Sequence, residues 1–268
     1  MSEVVVVTGI GGMGIACARR LGPGHELVVA DFNEEKLERE AESLRRDGLA
    51  VTTQAVDVSD RASVAGLAAA AGRLGTLRTL VHTAGLSPTQ ATPERVLDVD
   101  MLGTDYVLAA FLELVTDGTV AVCIASMAGY LSGLTREREF ALATAATDDL
   151  MTTLGPVGDD FGSTYGIAKR INQLRVEQAA KPWGARGGRV VSISPGIIST
   201  PMGRQELEEG AGEQMQGMLD LSPIPRIGAA EDIASAVQWL ASPAASFVTG
   251  CDLRVDGGVT AAIRGLMP

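Results

Sequence analysis

The chain opens on a valine-rich run that leads directly into closely spaced glycines, and this feature constrains the fold more than any other. Residues 4–16 read VVVVTGIGGMGIA, which predicts a buried strand, a tight turn and the start of a helix. Gly9, Gly11 and Gly14 would let the backbone approach a pyrophosphate, whose charge the helix N-terminus would meet with unpaired N–H groups. We therefore predict a dinucleotide-binding turn; the alternative is a purely structural turn between strand and helix.

An acidic residue about 20 residues after the turn suggests which dinucleotide would bind. Asp31 ends the second apolar run, ELVVAD. A carboxylate there can accept hydrogen bonds from both ribose hydroxyls but would repel a 2′-phosphate. The glycine turn contains no Arg or Lys. The sequence therefore favours NAD over NADP as the cofactor, although Asp31 could instead serve only to start the next helix.

Apolar β-branched runs alternate with amphipathic stretches along the whole chain. The runs predict strands over Glu3–Thr8, Glu26–Asp31, Ala50–Val56, Thr79–Thr83, Thr119–Ser126, Gly188–Ser194 and Asp252–Val255. The stretches predict helices over Gly12–Leu21, Glu34–Asp47, Arg61–Leu74, Pro93–Thr116 (with a potential break near Gly103), Ser163–Lys181 and Ala230–Ala241. This alternation is typical of an α/β fold with a doubly wound, Rossmann-like parallel sheet of about seven strands covered by helices on both faces. We predict a single domain over residues 1–268.

Two segments interrupt the alternation. Residues 127–162 separate a strand from the helix around Tyr165 and contain a predicted extra helix, Glu139–Thr153. Residues 197–226 follow a strand end and are rich in Gly, Met, Glu and Pro. Long irregular segments in compact domains are usually lids, binding loops or disordered, and we expect the second one to be a substrate loop.

A tyrosine and a lysine four residues apart, in the run STYGIAKR, are the strongest candidates for chemistry. Tyr165 and Lys169 would project from one face of a helix. A free tyrosine has a pKa near ~10, which a nearby ammonium would lower, so Tyr165 could exchange a proton with an alcohol or a carbonyl oxygen. Ser126 ends the fifth strand at the carboxyl edge of the sheet, where its hydroxyl could hold the substrate oxygen.

Composition and charge argue against several other functions, although they do not exclude a local basic patch. The net charge of −11 and pI of about 4.7 argue against nucleic acid and anionic membranes as partners. The N-terminus does not resemble a signal peptide, and apolar runs are too short to span a bilayer. The cysteines Cys17, Cys123 and Cys251 lie far apart, and the histidines are His25 and His82, so we expect no metal site and reduced thiols. These features favour a cytoplasmic location.

The motifs resemble those of the short-chain dehydrogenase/reductase family in its single-domain branch. The resemblance covers nearly the whole chain through TGIGGMG, DVSD, HTAG, YGIAK, WGARGGRVVSISPGIISTPM and VTGCDLRVDGG. It implies that Ser126, Tyr165 and Lys169 are catalytic and that Asp100 stands where the family often has a catalytic asparagine. The cofactor residues implied are Gly9, Gly11, Gly12, Met13, Gly14, Asp31, Phe32, Asp57, Val58, Ala84, Gly85, Tyr165, Lys169, Pro195, Gly196, Ile198 and Thr200.

Within that set, the resemblance implies a place along the dinucleotide for each group. Asp57 and Val58 would lie at the adenine, and Ala84 and Gly85 along the adenosine ribose. Lys169 would also bind the nicotinamide ribose. The residues implied around the nicotinamide are Pro195, Gly196, Ile198 and Thr200.

The sequence departs from the family pattern at four places. The glycine loop is one residue shorter than usual. His82 and Thr83 replace two asparagines, and we interpret His82 as a packing residue at a strand end rather than a base. Asp100 replaces an asparagine. Finally, residues 127–162 lengthen the distance between Ser126 and Tyr165, as a lid, a pocket wall or a subunit contact.

These observations predict an NAD-dependent alcohol dehydrogenase or carbonyl reductase, which passes hydride between nicotinamide and a secondary alcohol or ketone. Apolar side chains in the two irregular segments suggest a hydrophobic substrate, although they could equally pack on one another: Leu131, Leu134, Ile197, Met202, Met215 and Met218. The alternatives are a dinucleotide-sensing regulator without turnover, and a sugar-nucleotide epimerase or dehydratase. The resemblance also implies a homodimer or homotetramer formed through helices within 103–116 and 163–181.

Overall fold

One parallel sheet organises the chain in the computed structural model, which describes residues 2–87, 91–157, 161–206 and 212–266. Its strands are β1 Glu3–Thr8, β2 Glu26–Asp31, β3 Ala50–Ala55, β4 Thr76–His82, β5 Val120–Ile124, β6 Arg189–Pro195 and β7 Asp252–Val255. They run in the order β3-β2-β1-β4-β5-β6-β7, and every neighbouring pair is parallel. The strand order reverses between β1 and β4, so the prediction of a doubly wound Rossmann-like sheet is confirmed.

Helices cover both faces of this sheet. They are α1 Gly12–Leu21, α2 Glu34–Arg46, α3 Arg61–Leu74, α4 Pro93–Val96, α5 Gly103–Leu112, α6 Arg136–Thr144, α7 Leu150–Leu154, α8 Phe161–Gly184, α9 Pro201–Glu206, α10 Gly212–Leu221, α11 Ala230–Ala241 and α12 Val259–Gly265. A π-helical turn, Leu97–Leu102, joins α4 to α5.

The four consecutive valines of β1 show why the sheet needs two covering layers. Val5 and Val7 face a core with α1, α2 and α11, whereas Val4 and Val6 face a core with α3, α5 and α8. All four side chains are at most 1% exposed. Side chains alternate between the faces of a strand, so a strand of continuous valine is stable only when both faces are buried.

A third core lies outside the two sheet layers and involves the segment between Ser126 and Tyr165. Leu142 of α6 and Leu150 and Leu154 of α7 pack with Leu97, Met101, Ala168 and Ile171. Arg170 of α8 also pairs with Glu139 of α6, at 2.6 Å and 3.0 Å. The described part of this segment, 127–157, is therefore packed onto the helices that carry the candidate chemistry.

Several predicted element boundaries differ from those of the structure. The helix expected over Pro93–Thr116 ends at Leu112 and contains the π-helical turn rather than a break at Gly103. The helix expected over Glu139–Thr153 is two helices, α6 and α7, because the backbone between them turns at Ala145 and Ala146, which are extended. The segment expected to be irregular, 197–226, contains α9 and α10, and α12 follows the last strand.

Candidate active site

A cleft of about 760 Å³ lies at the carboxyl ends of β1, β2 and β4, where the strand order reverses. This is the position at which doubly wound sheets bind ligands. Its lining contains most of the residues expected to bind a cofactor: Gly9, Gly11, Gly12, Met13, Gly14, Asp31, Phe32, Asp57, Val58, Ala84, Gly85 and Thr200. The structure therefore brings together residues from five separate parts of the sequence.

The glycine turn has the shape that a pyrophosphate site requires. Gly9 adopts φ of 82°, and a Cβ on it would lie 2.4 Å from the nitrogen of Ala84. A Cβ on Gly14 would lie 1.9 Å from the Gly9 oxygen. By contrast, a Cβ on Gly11 would meet only Lys36 Nζ, at 4.0 Å, so the space in front of the α1 N-terminus is open. Helix α1 has no side-chain cap and no acidic residue in its first turn, which leaves its N–H groups available to an anion.

Two backbone N–H groups hold the Asp31 carboxylate in place, one from the glycine turn and one from the start of α2. Its Oδ2 accepts a hydrogen bond from the Ile10 backbone at 2.8 Å, and its Oδ1 accepts one from the Asn33 backbone at 3.0 Å. Lys36 Nζ lies 3.3 Å from Oδ2. The carboxylate thus stands at the edge of the cleft with a cation beside it.

Asp57, expected at the adenine, takes part in an ionic contact across the cleft wall. Arg95 Nη2 lies 3.0 Å from Asp57 Oδ2, and Arg95 Nη1 donates to Ser59 Oγ at 2.6 Å. Partial burial works against ionisation of Asp57, but hydrogen bonds from Ser59 and the Arg95 charge outweigh it and lower the pKa of this carboxyl. Asp57 is therefore an anion at neutral pH, with both oxygens already in contact with Arg95.

The residues expected around the nicotinamide divide between two cavities. The Thr200 side chain covers the glycine turn, since a Cβ on Gly12 would lie 2.8 Å from Thr200 Cγ2. Gly196 and Ile198 instead line a second cavity of about 340 Å³, together with residues of the C-terminal segment. Pro195 ends β6, where it pairs with Val255 of β7.

Tyr165 and Lys169 meet as their spacing predicts. Lys169 Nζ lies 5.6 Å from the centroid of the Tyr165 ring. The lysine is buried, and its Nζ donates to the Ile124 carbonyl at 3.4 Å. A Cβ on Gly85 would lie 3.1 Å from Lys169 Nζ. Because Gly85 lines the dinucleotide cleft, the ammonium lies directly beneath the wall of that cleft.

Ser126 lies at the start of a 3-10 turn, Met127–Leu131, that packs against α8. Its Oγ accepts a hydrogen bond from the Ala128 backbone at 3.2 Å. Gln173 of α8 donates from Nε2 both to the Ser126 carbonyl, at 3.2 Å, and to Ser194 Oγ, at 2.8 Å. A single amide therefore connects the ends of β5 and β6 to the helix of Tyr165 and Lys169.

Asp100 lies in the π-helical turn and is fully buried. Its Oδ1 accepts a hydrogen bond from the Leu86 backbone at 2.9 Å, and its Oδ2 lies 3.8 Å from Lys169 Nζ. Burial raises the pKa of Asp100 to about 6, against the lowering effect of the Lys169 charge. The structure thus places a carboxylate beside the candidate catalytic ammonium.

His82 belongs to a buried network of polar side chains. Its Nδ1 lies 2.7 Å from Thr8 Oγ1 and its Nε2 lies 3.2 Å from Thr104 Oγ1. Thr104 Oγ1 in turn donates to the Asp100 carbonyl at 2.8 Å and accepts from Asn172 at 3.0 Å. Burial, with the Lys169 charge second, lowers the pKa of His82 to about 3, so the ring is neutral. This environment agrees with a packing role at a strand end.

Sequence reasoning missed three polar residues of the cleft, which are Asn33, Lys36 and Arg95. Asn33 caps α2 by accepting a hydrogen bond from the Lys36 backbone, so its signal was a standard N-cap pattern. Lys36 lies one turn into the same helix, five residues after Asp31, and that spacing could have suggested an ion pair. Arg95 had no local signal, because its partner Asp57 is distant in sequence.

Within the described ranges, no helix is long and apolar enough to cross a bilayer. Those same ranges also contain no group of three or more His, Cys, Asp or Glu side chains arranged to hold a metal ion.

The sheet and its cleft define a Rossmann-like dinucleotide-binding protein. A family model described as enoyl-(acyl carrier protein) reductase matches residues 9–260. The chain is 36% identical to the short-chain dehydrogenase/reductase bsc3 of Alternaria brassicicola over 97% of this chain and 96% of that protein. It is 32% identical to 2-(S)-hydroxypropyl-CoM dehydrogenase 3 of Xanthobacter autotrophicus, over 97% of each.

A solved structure of an actinorhodin polyketide ketoreductase variant with NADPH is also similar, with a TM-score of 0.75, 26% identity and 97% of each chain covered. The chain therefore belongs to the short-chain dehydrogenase/reductase family. Relatives of this chain in the family are dehydrogenases and reductases that act on alcohols or ketones, and the family binds a nicotinamide dinucleotide.

Proposed function

We propose that this protein is an NAD(H)-dependent oxidoreductase that interconverts a secondary alcohol and a ketone. One observation carries the proposal: the Lys169 ammonium lies 5.6 Å from the Tyr165 ring centroid and directly under Gly85, a wall of the dinucleotide cleft. The cation that would lower the pKa of Tyr165 is thus next to the cavity in which we propose that the cofactor lies. The bound nicotinamide supplies or accepts the hydride.

The protein's own groups would handle the proton. In the oxidation direction Tyr165 takes the hydroxyl proton of the alcohol while the hydride leaves carbon, and in reduction it returns a proton to the carbonyl oxygen. Lys169 favours the phenolate by its charge, and the Ser126 hydroxyl would orient the reacting oxygen. His82, whose pKa is lowered by burial to about 3, is too weak a base to compete for this proton.

Asp31 supports NAD rather than NADP. Its carboxylate stands at the cleft edge where an adenosine ribose would lie, and it would repel a 2′-phosphate. Phe32, 70% exposed, offers an apolar surface next to it. Lys36 opposes this preference, because its ammonium at 3.3 Å offsets part of the Asp31 charge. We infer that the protein prefers NAD because Asp31 repels a 2′-phosphate more strongly than Lys36 attracts it.

An apolar substrate is our proposal from the segment 197–226. Helices α9 and α10 lie in this segment, and Met202 of α9 lines the dinucleotide cleft. Two methionines of α10, Met215 and Met218, are half-buried, so they could contact a ligand with little rearrangement. Leu134, expected in the same pocket, packs instead with the third core.

A homo-oligomer remains a prediction, and the packing of α6 changes which surface could form it. The expected contact uses α5 and α8, but α6 packs on α8 through the Glu139–Arg170 ion pair. Arg175 of α8 also donates to the carbonyls of Ala143 and Ala145. A dimer through these helices would therefore have to include the segment 136–154 as part of its contact surface.

A substrate panel tests the proposed activity. Purified protein would be offered ketones with NADH and secondary alcohols with NAD, and the NADH absorbance would be followed. We expect turnover of at least one apolar pair. Tyr165→Phe should abolish turnover yet leave NADH binding intact, whereas Tyr106→Phe on α5 should leave both unchanged. Tight NADH binding without turnover on any pair would favour a dinucleotide sensor, and near-normal rates in Tyr165→Phe would remove the tyrosine from the mechanism.

A further inference from the structure

Asp100 carries a buried charge that the mechanism above does not use. Its Oδ1 is occupied by the Leu86 backbone, but its Oδ2 has no hydrogen-bond partner within the described residues. The nearest cation is Lys169 Nζ, 3.8 Å from Oδ2. Burial of a carboxylate oxygen raises the free energy of the folded state unless an opposite charge compensates it. The Lys169 ammonium supplies that compensation for Asp100.

The groups that face this pair come from three elements. Tyr165 shares α8 with Lys169, His82 ends β4, and Cys123 belongs to β5. Burial keeps the His82 ring neutral and raises the pKa of the Cys123 thiol to about 12. Neither of them contributes negative charge near neutral pH. Asp100, with a pKa raised to about 6, does so over the whole range in which a tyrosine ionises.

We propose that Asp100 is a positioning residue whose carboxylate holds the Lys169 ammonium beside the Tyr165 ring and offsets part of its charge, so that Tyr165 stays protonated to a higher pH than a neutral side chain at position 100 would allow. The inference rests on the proposed function, which assigns the proton transfer to Tyr165. It concerns only the charges of Asp100, Lys169 and Tyr165, so it can be tested without a substrate.

The size of the effect follows from two distances in the structure. Asp100 lies 3.8 Å from Lys169 Nζ, which lies 5.6 Å from the Tyr165 centroid, so carboxylate and ring are within about 10 Å of each other. At an effective dielectric constant of about 20, one unit charge at that separation shifts a pKa by roughly one unit. Replacing the carboxylate with a neutral amide should therefore lower the pKa of Tyr165 by roughly one unit.

An ultraviolet titration of the phenolate measures this directly. The chain has three tyrosines, so the signal of Tyr165 is the difference between the protein and its Tyr165→Phe variant. The same difference is then measured with Asp100→Asn in both proteins, with circular dichroism to verify folding at each pH. We expect the Tyr165 transition to move to lower pH in the Asp100→Asn background. An unchanged or higher transition would overturn the proposal.

Asp98→Asn is the matched control, because Asp98 lies on the same π-helical turn and its replacement removes the same charge. It should leave the Tyr165 transition within a few tenths of a pH unit, because Asp98 is only half-buried and solvent screens its charge. An equal shift in both variants would mean that net charge, not position, governs Tyr165, and would overturn the proposal.

A second measurement does not depend on the folding of Asp100→Asn. The carboxyl carbon of Asp100 can be followed by NMR in the unmodified protein, assigned through its bonds. We expect it to ionise below neutral pH; a carboxyl that stays protonated throughout the neutral range could not offset Lys169. Because neither titration uses a substrate, a failed activity screen would not be mistaken for failure of this inference.

Discussion

The ion pair between Asp105 of α5 and Arg175 of α8 is the contact whose loss should be most costly. Arg175 Nε lies 2.7 Å from Asp105 Oδ1, and Nη2 lies 2.8 Å from Oδ2, which is a bidentate arrangement. The two side chains are only 13% and 9% exposed. The remaining nitrogen, Nη1, donates to the Ala145 carbonyl at 2.6 Å. One guanidinium therefore connects α5, α8 and the segment that follows α6.

Replacement of Arg175 by Met would keep an apolar chain of similar length. Among the described residues, it would leave the buried Asp105 carboxylate with the Thr147 hydroxyl as its side-chain partner. Breaking a buried pair from one side costs about 3–5 kcal/mol, because the remaining charge is no longer compensated. At roughly 2–4 °C per kcal/mol for domains of this size, the unfolding temperature should fall by roughly 10 °C.

Thermal and urea unfolding followed by circular dichroism would measure this loss. The double variant Asp105→Asn/Arg175→Met should recover part of the stability, since the uncompensated charge is gone. Arg46→Met is the matched control: its pair with Glu42 is exposed on both sides and should be worth less than about 0.5 kcal/mol. A loss below about 1 kcal/mol for Arg175→Met, or no recovery in the double variant, would refute the reasoning.

Three further predictions follow from the site and the fold. Asp31→Ala should weaken NADH binding roughly tenfold and strengthen NADPH binding, and adding Lys36→Met should remove the NADPH gain; a fluorescence titration in which the ratio of affinities does not change would show that other groups read the ribose. His82, with a pKa lowered to about 3, stays neutral in the fold while the unfolded chain protonates it below about pH 6.5, so it should cost stability as pH falls from about 6.5 toward 3. Asp100, with a pKa raised to about 6, should instead add stability as pH falls from about 6 to 4, because the folded chain takes up a proton there that the unfolded chain does not. The His82 contribution is isolated by His82→Asn, whose unfolding temperature should rise relative to that of the unmodified protein as pH falls. Gly66→Ala should raise stability by up to about 1 kcal/mol, because this glycine lies in the middle of α3 with nothing within 4 Å of a new Cβ; a lower unfolding temperature would contradict that reading.

Much of the site was predictable because its signals are local in sequence. Gly9, Gly11 and Gly14 belong to one turn, and Tyr165 and Lys169 belong to one turn of helix. The switch point that gathers them with Asp31 follows from parallel strands, whose carboxyl ends share one edge. Local motifs together with the parallel-strand topology thus predicted that these side chains would lie at one edge of the sheet, and their roles there remain a prediction.

The rest depends on contacts between residues that are distant in sequence. Asp105 and Arg175 lie 70 residues apart, and the sequence around each of them contains no motif that predicts their pairing. The π-helical turn holding Asp100 reflects tertiary packing rather than composition. Helices α9 and α10 were missed because Gly and Pro suggested a loop, although tertiary contacts such as that of α10 with α12 override such weak local preferences.

Gln173 has a consequence for how such an enzyme can change over evolutionary time. Its one amide holds the backbone at Ser126 and the hydroxyl of Ser194, so the helix of Tyr165 cannot shift without disturbing two neighbouring strand ends. The segment containing α9 and α10 carries no such constraint from that amide. Substitutions confined to the segment with α9 and α10 could thus change the substrate while the proposed proton-transfer residues, Tyr165 and Lys169, keep their positions.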